Sequence, residues 1–165
     1  LGARKVVALD IEDFRLERSA SFGADLTLNN ANEDPVAFLK DALNGELPDL
    51  VVEAAGEVDA INLSMQLVRK YGDILFFGYP RAQTFAFDFD EYYHKCCRAQ
   101  TIVGASNEPN LTSMHIAVDL VASGQANAKE LITHHVPFTE TIAAYEQHRT
   151  RGDGAVKIVI EMPGA

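Results

Sequence analysis

The stretch that decides the fold is Gly2-Ala3-Arg4-Lys5-Val6-Val7-Ala8-Leu9-Asp10. Its apolar, β-branched middle closes on an acid, which is the pattern of a buried strand that ends at the edge of a sheet. A helical pattern follows over residues 13–22, with Gly23 just past its end, where glycine is favoured. A brief strand is then predicted over residues 26–28.

Strand and helix patterns continue to alternate along the rest of the chain. Asp34 and Pro35 are typical of a helix start, and Ile61, Met65 and Val68 recur at helical spacing. The other predicted strands are residues 50–54, 74–78, 101–104 and 156–161, of which 50–54 is predicted to be buried, and residues 85–87 form a less regular piece. The other predicted helices are a stretch that carries Cys96, residues 111–123, and residues 139–149 with Thr139 as the cap. About six strands separated by helices predict an α/β fold, most of an open, doubly wound parallel sheet.

In a doubly wound sheet that binds a dinucleotide, an acid ends the second strand, after a first strand, a glycine-rich turn and a helix. Asp10 occupies the place of that acid. We therefore expect residues 1–165 to form a single, incomplete NAD(P)-binding Rossmann domain that lacks the first strand and the glycine-rich turn.

Composition narrows the possible partners and compartment. The formal charge of −10 and the pI near 4.8 argue against nucleic acid and anionic membranes. No run of about 18 apolar residues and no targeting pattern occurs, so a cytoplasmic protein is expected. Cys96 and Cys97 are adjacent, which disfavours a mutual disulfide, and are predicted to be buried helix residues.

Asp10 carries the first chemical inference. A carboxylate at the end of the second strand can accept hydrogen bonds from both hydroxyls of an adenosine ribose, and it repels a 2′-phosphate. NAD is therefore favoured over NADP, although Arg15 could lie along the ribose or adenine or serve a phosphate. The alternative is that Asp10 or Asp13 only caps the following helix.

Small residues follow two further strands, in Glu53-Ala54-Ala55-Gly56 and in Phe77-Gly78-Tyr79. In a doubly wound sheet these strand ends face the same crevice as Asp10, and glycine lets a backbone approach a flat ligand closely. The alternative is that a turn between a strand and a helix needs glycine in any case.

Taken in order, these segments resemble a known family. Asp10 with Arg15, then Gly23-Ala24-Asp25, the segment 49–56 and the segment 72–78 resemble the cofactor domain of medium-chain, zinc-type alcohol, sorbitol and threonine dehydrogenases. The closing segments 131–138 and 154–160 are similar to that family's end in order and spacing. The resemblance runs from residue 2 to residue 161.

The resemblance implies cofactor-binding roles at individual positions. It implies that Asp10 holds the adenosine ribose with Arg15 beside it, and that the adenosine side is lined by Ala54, Ala55 and Gly56. It implies that the nicotinamide is bordered by Phe77, Gly78 and Tyr79, with Val103 near the carboxamide. It also implies that Lys157 faces the pyrophosphate. Lys157 could equally be a solvated lysine on an edge strand.

The resemblance also implies an activity for the parent protein. That activity is NAD-dependent oxidation of a small alcohol or polyol by hydride transfer. The resemblance places the zinc, which acts as a Lewis acid, in an N-terminal catalytic domain that is expected to be absent from this chain. This chain is expected to be inactive alone, to carry no catalytic residue or metal site, and to form a homodimer through the sheet edge at 101–104. His94, Cys96 and Cys97 lack zinc-site spacing, and His115, His134, His135 and His148 have no partnered nucleophile.

Two other functions stay open. An acid at the same strand end also binds the ribose of S-adenosylmethionine in methyltransferases of similar fold, although the closing segment 154–158 argues against that class. Alternatively, the chain binds no nucleotide and self-associates through the strand edges beside the missing first strand. A short-chain dehydrogenase is disfavoured because Tyr92 and Lys95 are three residues apart instead of four.

Overall fold

The computed structural model describes residues 2–104, 107–150 and 152–164. Contacts divide the chain into two compact units. The first unit comprises residues 1–29 and 110–165, and the second comprises residues 30–109. Each unit is described by itself, and the prediction of a single incomplete domain stays a prediction.

Helices and strands alternate along the described chain, as the sequence predicts. In chain order they are β1 (Val7–Asp10), α1 (Asp13–Ser21), β2 (Leu26–Asn29), α2 (Pro35–Ala42), β3 (Leu50–Glu53), α3 (Val58–Leu67), β4 (Asp73–Phe76), α4 (Phe89–Lys95), β5 (Arg98–Thr101), α5 (Thr112–Ala122), β6 (Ile132–Pro137), α6 (Thr141–Arg149) and β7 (Lys157–Glu161). No described helix has the length and apolar character that crossing a membrane requires.

Every strand pairing among the described residues is parallel. In the first unit β1 pairs with β2 and β6 pairs with β7, and in the second unit the order is β3-β4-β5. Parallel neighbours need a crossover connection, usually a helix, which explains the alternation along the chain. The predicted α/β class with parallel sheets and flanking helices is confirmed.

The start of α2 follows directly from two residues. Asp34 caps the helix because its Oδ1 accepts hydrogen bonds from the backbone N–H of Val36 at 2.9 Å and of Ala37 at 3.4 Å. Pro35 occupies the first helical position, where a missing N–H removes no intrahelical bond. This predicted helix start is confirmed.

The apolar stripe of α3 forms the core of the second unit. Ile61 is 5% exposed, and Met65 and Val68 are fully buried, as their spacing predicts. Met65 and Val68 pack with Ile74 of β4, and Val51 of β3 lies against the same cluster. One face of the sheet is thereby covered.

Two predicted strands differ from the structure. Strand β3 is not buried throughout, because Leu50 and Val52 are 54% and 53% exposed on the face opposite Val51. Strand β5 begins at Arg98 and ends at Thr101, earlier than the predicted 101–104. Arg98 starts it because its backbone N–H donates to the Gly72 carbonyl at 3.0 Å, and its exposed guanidinium also pairs with the Asp73 carboxylate through two hydrogen bonds of 2.7 Å.

Two further boundaries are corrected. Residues 85–87 form neither helix nor strand. Thr139 does not cap α6, because it lies in a short 3₁₀ turn, Phe138–Glu140, and the α-helix begins two residues later. The Thr141 hydroxyl donates to the Phe138 carbonyl at 2.6 Å, which ties the helix start to that turn.

Lys95 closes the carboxyl end of α3. Its Nζ donates to the carbonyls of Met65 at 2.8 Å, Gln66 at 2.6 Å and Val68 at 2.9 Å, and it lies 3.0 Å from Glu91 Oε1. The last carbonyls of a helix have no intrahelical donor. Helix α3 turns directly into extended backbone at Val68, so a side chain from α4 satisfies those carbonyls.

We expect Lys95→Met to destabilise the second unit by about 2–3 kcal/mol, because half-buried carbonyls lose a charged donor. The measurement is the free energy of unfolding in urea. Lys129→Met is the matched control, since Lys129 is exposed. Equal unfolding free energies for the two variants would show that the Lys95 bonds contribute nothing.

Candidate cofactor-binding site

The three strands of the second unit end side by side. Glu53 stands opposite Phe76, and Phe76 stands opposite Thr101. The loops after these strands therefore begin at one edge of the sheet. The structure places there all seven site residues predicted in this unit, namely Ala54, Ala55, Gly56, Phe77, Gly78, Tyr79 and Val103.

Glu53 ties two of these loops together. Its Oε1 accepts from the backbone N–H groups of Ala55 at 2.7 Å and Gly56 at 2.8 Å. Its backbone carbonyl accepts from the N–H groups of Phe77 at 2.8 Å and Gly78 at 2.9 Å. Sequence reasoning gave Glu53 no role of its own, although an acid at the end of an apolar strand is a usable signal.

Both predicted glycines are required by contact between the two loops. Gly56 has a φ of +70°, and a Cβ there would overlap the carbonyl of Tyr79. A Cβ on Gly78 would overlap the backbone N of Gly56 and stand 2.6 Å from Glu53 Oε2. The loop contact accounts for glycine at both positions, and the role of these residues beside a cofactor stays a prediction.

The same edge carries exposed apolar side chains. Phe77 is 57% exposed, Tyr79 is 84% exposed and Val103 is 61% exposed. Ala54 and Ala55 are exposed as well. Grouped apolar surface of this kind is typical of a ligand site or an interface.

Asp10 ends β1 in the first unit, opposite Asn29 of β2. Its Oδ1 accepts from the backbone N–H of Glu12 at 3.0 Å, and its Oδ2 lies 3.9 Å from Arg15 Nη1. The Asp10 side chain is 29% exposed. The carboxylate thus fixes the turn into α1 with one oxygen and keeps the other for a further donor.

Neither acid caps α1. The residue at the cap position is Glu12, whose side chain makes no capping bond. Asp13 instead accepts a 2.6 Å hydrogen bond from Asn29 Nδ2. The capping bond of that alternative is not formed by either acid, whereas Asp13 does lie in the first turn, where an acid complements the helix dipole.

Arg15 and Lys157 are the predicted basic residues of the first unit. The Arg15 guanidinium lies 5.7 Å from the Phe14 ring centroid, and its buried Nε has no hydrogen-bond partner among the described residues. Lys157 is exposed at the start of β7, opposite Ile132. This placement is compatible with a solvated lysine and with a pyrophosphate contact.

The cysteines are not buried helix residues, contrary to the prediction. Helix α4 ends at Lys95, and Cys96 follows it, exposed, in the left-handed region with a φ of 51°. Cys97 packs against the core cluster of Met65, Val68 and Ile74. Burial raises the pKa of the Cys97 thiol, and the nearby Lys95 opposes that rise.

Three of the five histidines lie beside acids. His94 Nδ1 is 3.4 Å from Asp90, His134 Nε2 is 3.5 Å from Asp153, and His135 Nδ1 is 3.3 Å from Glu161. Within residues 2–104, 107–150 and 152–164, no three His, Cys, Asp or Glu side chains come together as a metal-ligand set.

The fold is shared with known dehydrogenases. The model of the zinc-binding dehydrogenase family matches residues 1–115. Sorbitol dehydrogenase of Gallus gallus is 31% identical over 98% of this chain, and L-threonine 3-dehydrogenase of Symbiobacterium thermophilum is 25% identical over 98%. A solved alcohol dehydrogenase from Thermus sp. ATN1 superimposes with a TM-score of 0.83 at 29% identity over 98% of the chain.

The chain belongs to the zinc-binding dehydrogenase family. It spans 44% of the Gallus gallus relative and 45% of the Thermus structure, so it is similar to less than half of each. The architecture matches the Rossmann-like domain of zinc-type alcohol dehydrogenases, as the resemblance implies. The methyltransferase alternative finds no support in these relatives.

We expect Gly56→Ala to destabilise the chain more than Gly124→Ala. Both glycines have a left-handed φ, +70° and +73°, but a Cβ on Gly124 meets nothing within 4 Å. The control should lose about 1–2 kcal/mol from backbone strain, and Gly56→Ala a further 1–3 kcal/mol or so from overlap with Tyr79. Thermal and urea unfolding measure the difference, and equal losses would contradict the loop contact.

Alkylation should distinguish the two thiols. Because Cys97 is half-buried and its pKa is raised, it stays a neutral thiol to higher pH and reacts slowly with iodoacetamide. Cys96 is exposed and should be labelled first at pH 8. Mass spectrometry of peptides over time gives both rates; faster labelling of Cys97 would contradict its described packing.

Proposed function

We propose that this chain holds NAD in an enzyme that oxidises a small alcohol or polyol by transferring hydride to the cofactor. Family membership and relatives named for sorbitol, threonine and alcohol dehydrogenation support an oxidoreductase. The observation that carries the choice of cofactor is the Asp10 carboxylate, which ends β1 with one oxygen not used by the backbone.

Asp10 is suited to an unphosphorylated ribose. Its Oδ1 is occupied by the Glu12 N–H, which orients the carboxylate, and Oδ2 can accept from a ribose hydroxyl. A hydrogen bond to an ionised acceptor is roughly twice as strong as a neutral one, and the same charge repels a 2′-phosphate. Arg15, 3.9 Å away, weakens that repulsion without removing it.

The loops of the second unit offer a neutral surface. The N–H groups of Ala55 and Gly56 already donate to Glu53, so this loop has few donors for a phosphate. Ala54, Ala55 and Gly56 are assigned to the adenosine side. Phe77, Gly78, Tyr79 and Val103 are assigned to the nicotinamide side, since exposed apolar surface suits a flat ring.

The positive charge that pairs with the pyrophosphate is assigned to Lys157, which is exposed on β7. When bound, NAD supplies the hydride acceptor, and the chain's own residues bind and orient it. The zinc that the family name implies is assigned to the part of the relatives' length that this chain does not span.

We propose a compartment and an assembly from two observations. Cys96 and Cys97 are both free thiols, which supports a cytoplasmic protein. Strand β5 is the outer strand of its sheet and is exposed along Arg98–Thr101, and an outer strand presents unpaired backbone groups. We therefore propose a homodimer that forms through this edge.

We expect the chain to bind NAD, and Asp10→Asn to weaken that binding about tenfold, the equivalent of about 1.4 kcal/mol. Asparagine keeps the oxygen that accepts from Glu12 but replaces the other carboxylate oxygen with an NH2 group, so the variant loses both the charge and the acceptor assigned to the ribose. The discrimination against NADP should fall in the same variant. Isothermal titration with NAD, NADP and S-adenosylmethionine makes the measurement.

Asp119→Asn on α5 is the matched control and should leave NAD affinity unchanged. Binding of S-adenosylmethionine without NAD would replace the proposed function with the methyltransferase alternative. An Asp10→Asn variant that binds NAD like the parent chain would remove Asp10 from the site.

A further inference from the structure

Glu53 is an ionisable residue in an unusual place. It is the last residue of β3 and is 4% exposed. Acidic side chains are almost never fully buried unless they are paired. No lysine or arginine lies within ion-pair distance of Glu53 among the described residues, and its only side-chain bonds are the two from the following loop.

Its second carboxylate oxygen has no hydrogen-bond donor. Glu53 Oε2 is buried and unpartnered in the part of the chain that the structure describes. It faces the Gly78 backbone, because a Cβ on Gly78 would lie 2.6 Å away. Leaving a buried acceptor unsatisfied is unfavourable, so the two hydrogen bonds to Oε1 must offset the cost of burying Oε2.

The bonds that Glu53 does make all reach the two loops at this edge. The side chain holds Ala55 and Gly56, and the backbone carbonyl of the same residue holds Phe77 and Gly78. Glu53 therefore contacts both loops: its Oε1 holds loop 54–56, its backbone carbonyl holds loop 77–79, and its Oε2 lies against the Gly78 backbone. The Gly56–Gly78 contact closes the arrangement, since neither position has room for a Cβ.

We propose that Glu53 is a positioning residue: its carboxylate sets the separation of loops 54–56 and 77–79, and thereby the affinity of the chain for the dinucleotide. This inference rests on the proposed NAD-binding function, because it gives those loops a ligand to line. It assigns Glu53 no contact with the cofactor.

The test uses Glu53→Ala, Glu53→Gln and the control Glu46→Ala, which removes an exposed acid of the same unit. Amide hydrogen exchange at residues 55 and 56 reports the loop, and isothermal titration reports NAD binding. Glu53→Ala should lose most of the protection at both amides and bind NAD at least tenfold more weakly. Glu53→Gln keeps an acceptor for both amides and should stay within about twofold of the parent chain, as should the control.

Gly78→Ala decides the matter if Glu53→Ala does not fold. It keeps every donor and acceptor but pushes a methyl group against Gly56 and the Glu53 carboxylate. The expected result is the same loss of protection at residues 55 and 56, with weakened NAD binding.

Unchanged protection in both Glu53→Ala and Gly78→Ala would overturn the proposal, and so would a Glu53→Gln variant as unprotected as Glu53→Ala. Lost protection with unchanged NAD affinity would overturn the link to the cofactor. If the parent chain binds no NAD, the proposed function fails. Hydrogen exchange would still show whether Glu53 positions the loops.

Discussion

The register of parallel strands is the constraint on which the candidate site depends. Parallel neighbours run in one direction, so aligned strands deliver their last residues to a common edge. In the second unit these residues are Glu53, Phe76 and Thr101, and each is followed by a loop that carries predicted site residues. In the first unit Asp10 and Asn29 end β1 and β2 side by side in the same way. Without this register the loops would be scattered along the sheet.

Two long polar side chains, Lys95 and Glu53, form hydrogen bonds with otherwise unpaired backbone groups of the second unit. Lys95 donates to three carbonyls at the end of α3, and Glu53 accepts from two amides after β3. Each replaces a local turn motif with a single side chain that reaches the unpaired backbone groups. The backbone groups of a helix end or a tight loop must find partners wherever they are shielded from water. Both residues therefore act mainly by fixing the backbone conformation of a helix end and of a loop.

Local chemistry explains which features were predictable. Asp34 and Pro35 act within one turn of chain, and Ile61, Met65 and Val68 share a face through helical geometry alone, so both were read correctly from sequence. The errors lie where a distant partner decides. Strand β5 starts at Arg98 because its backbone N–H pairs with the Gly72 carbonyl beside β4, and no pattern around residue 98 shows that partner. Leu50 and Val52 are exposed because, among the described residues, the core packs against the other face of β3.

By itself the sequence determined the α/β class, the order of most elements and the acid at the end of β1, because these depend on periodicity, caps and residue type over short distances. Only the tertiary structure explains why glycine is needed at two positions, since loops 54–56 and 77–79 meet there and leave no room for a Cβ at Gly56 or Gly78. It also decided that Glu53 is a buried anchor and that Cys96 is exposed. Burial and hydrogen-bond partners depend on residues far apart in the chain, and a single sequence does not show which of them will meet.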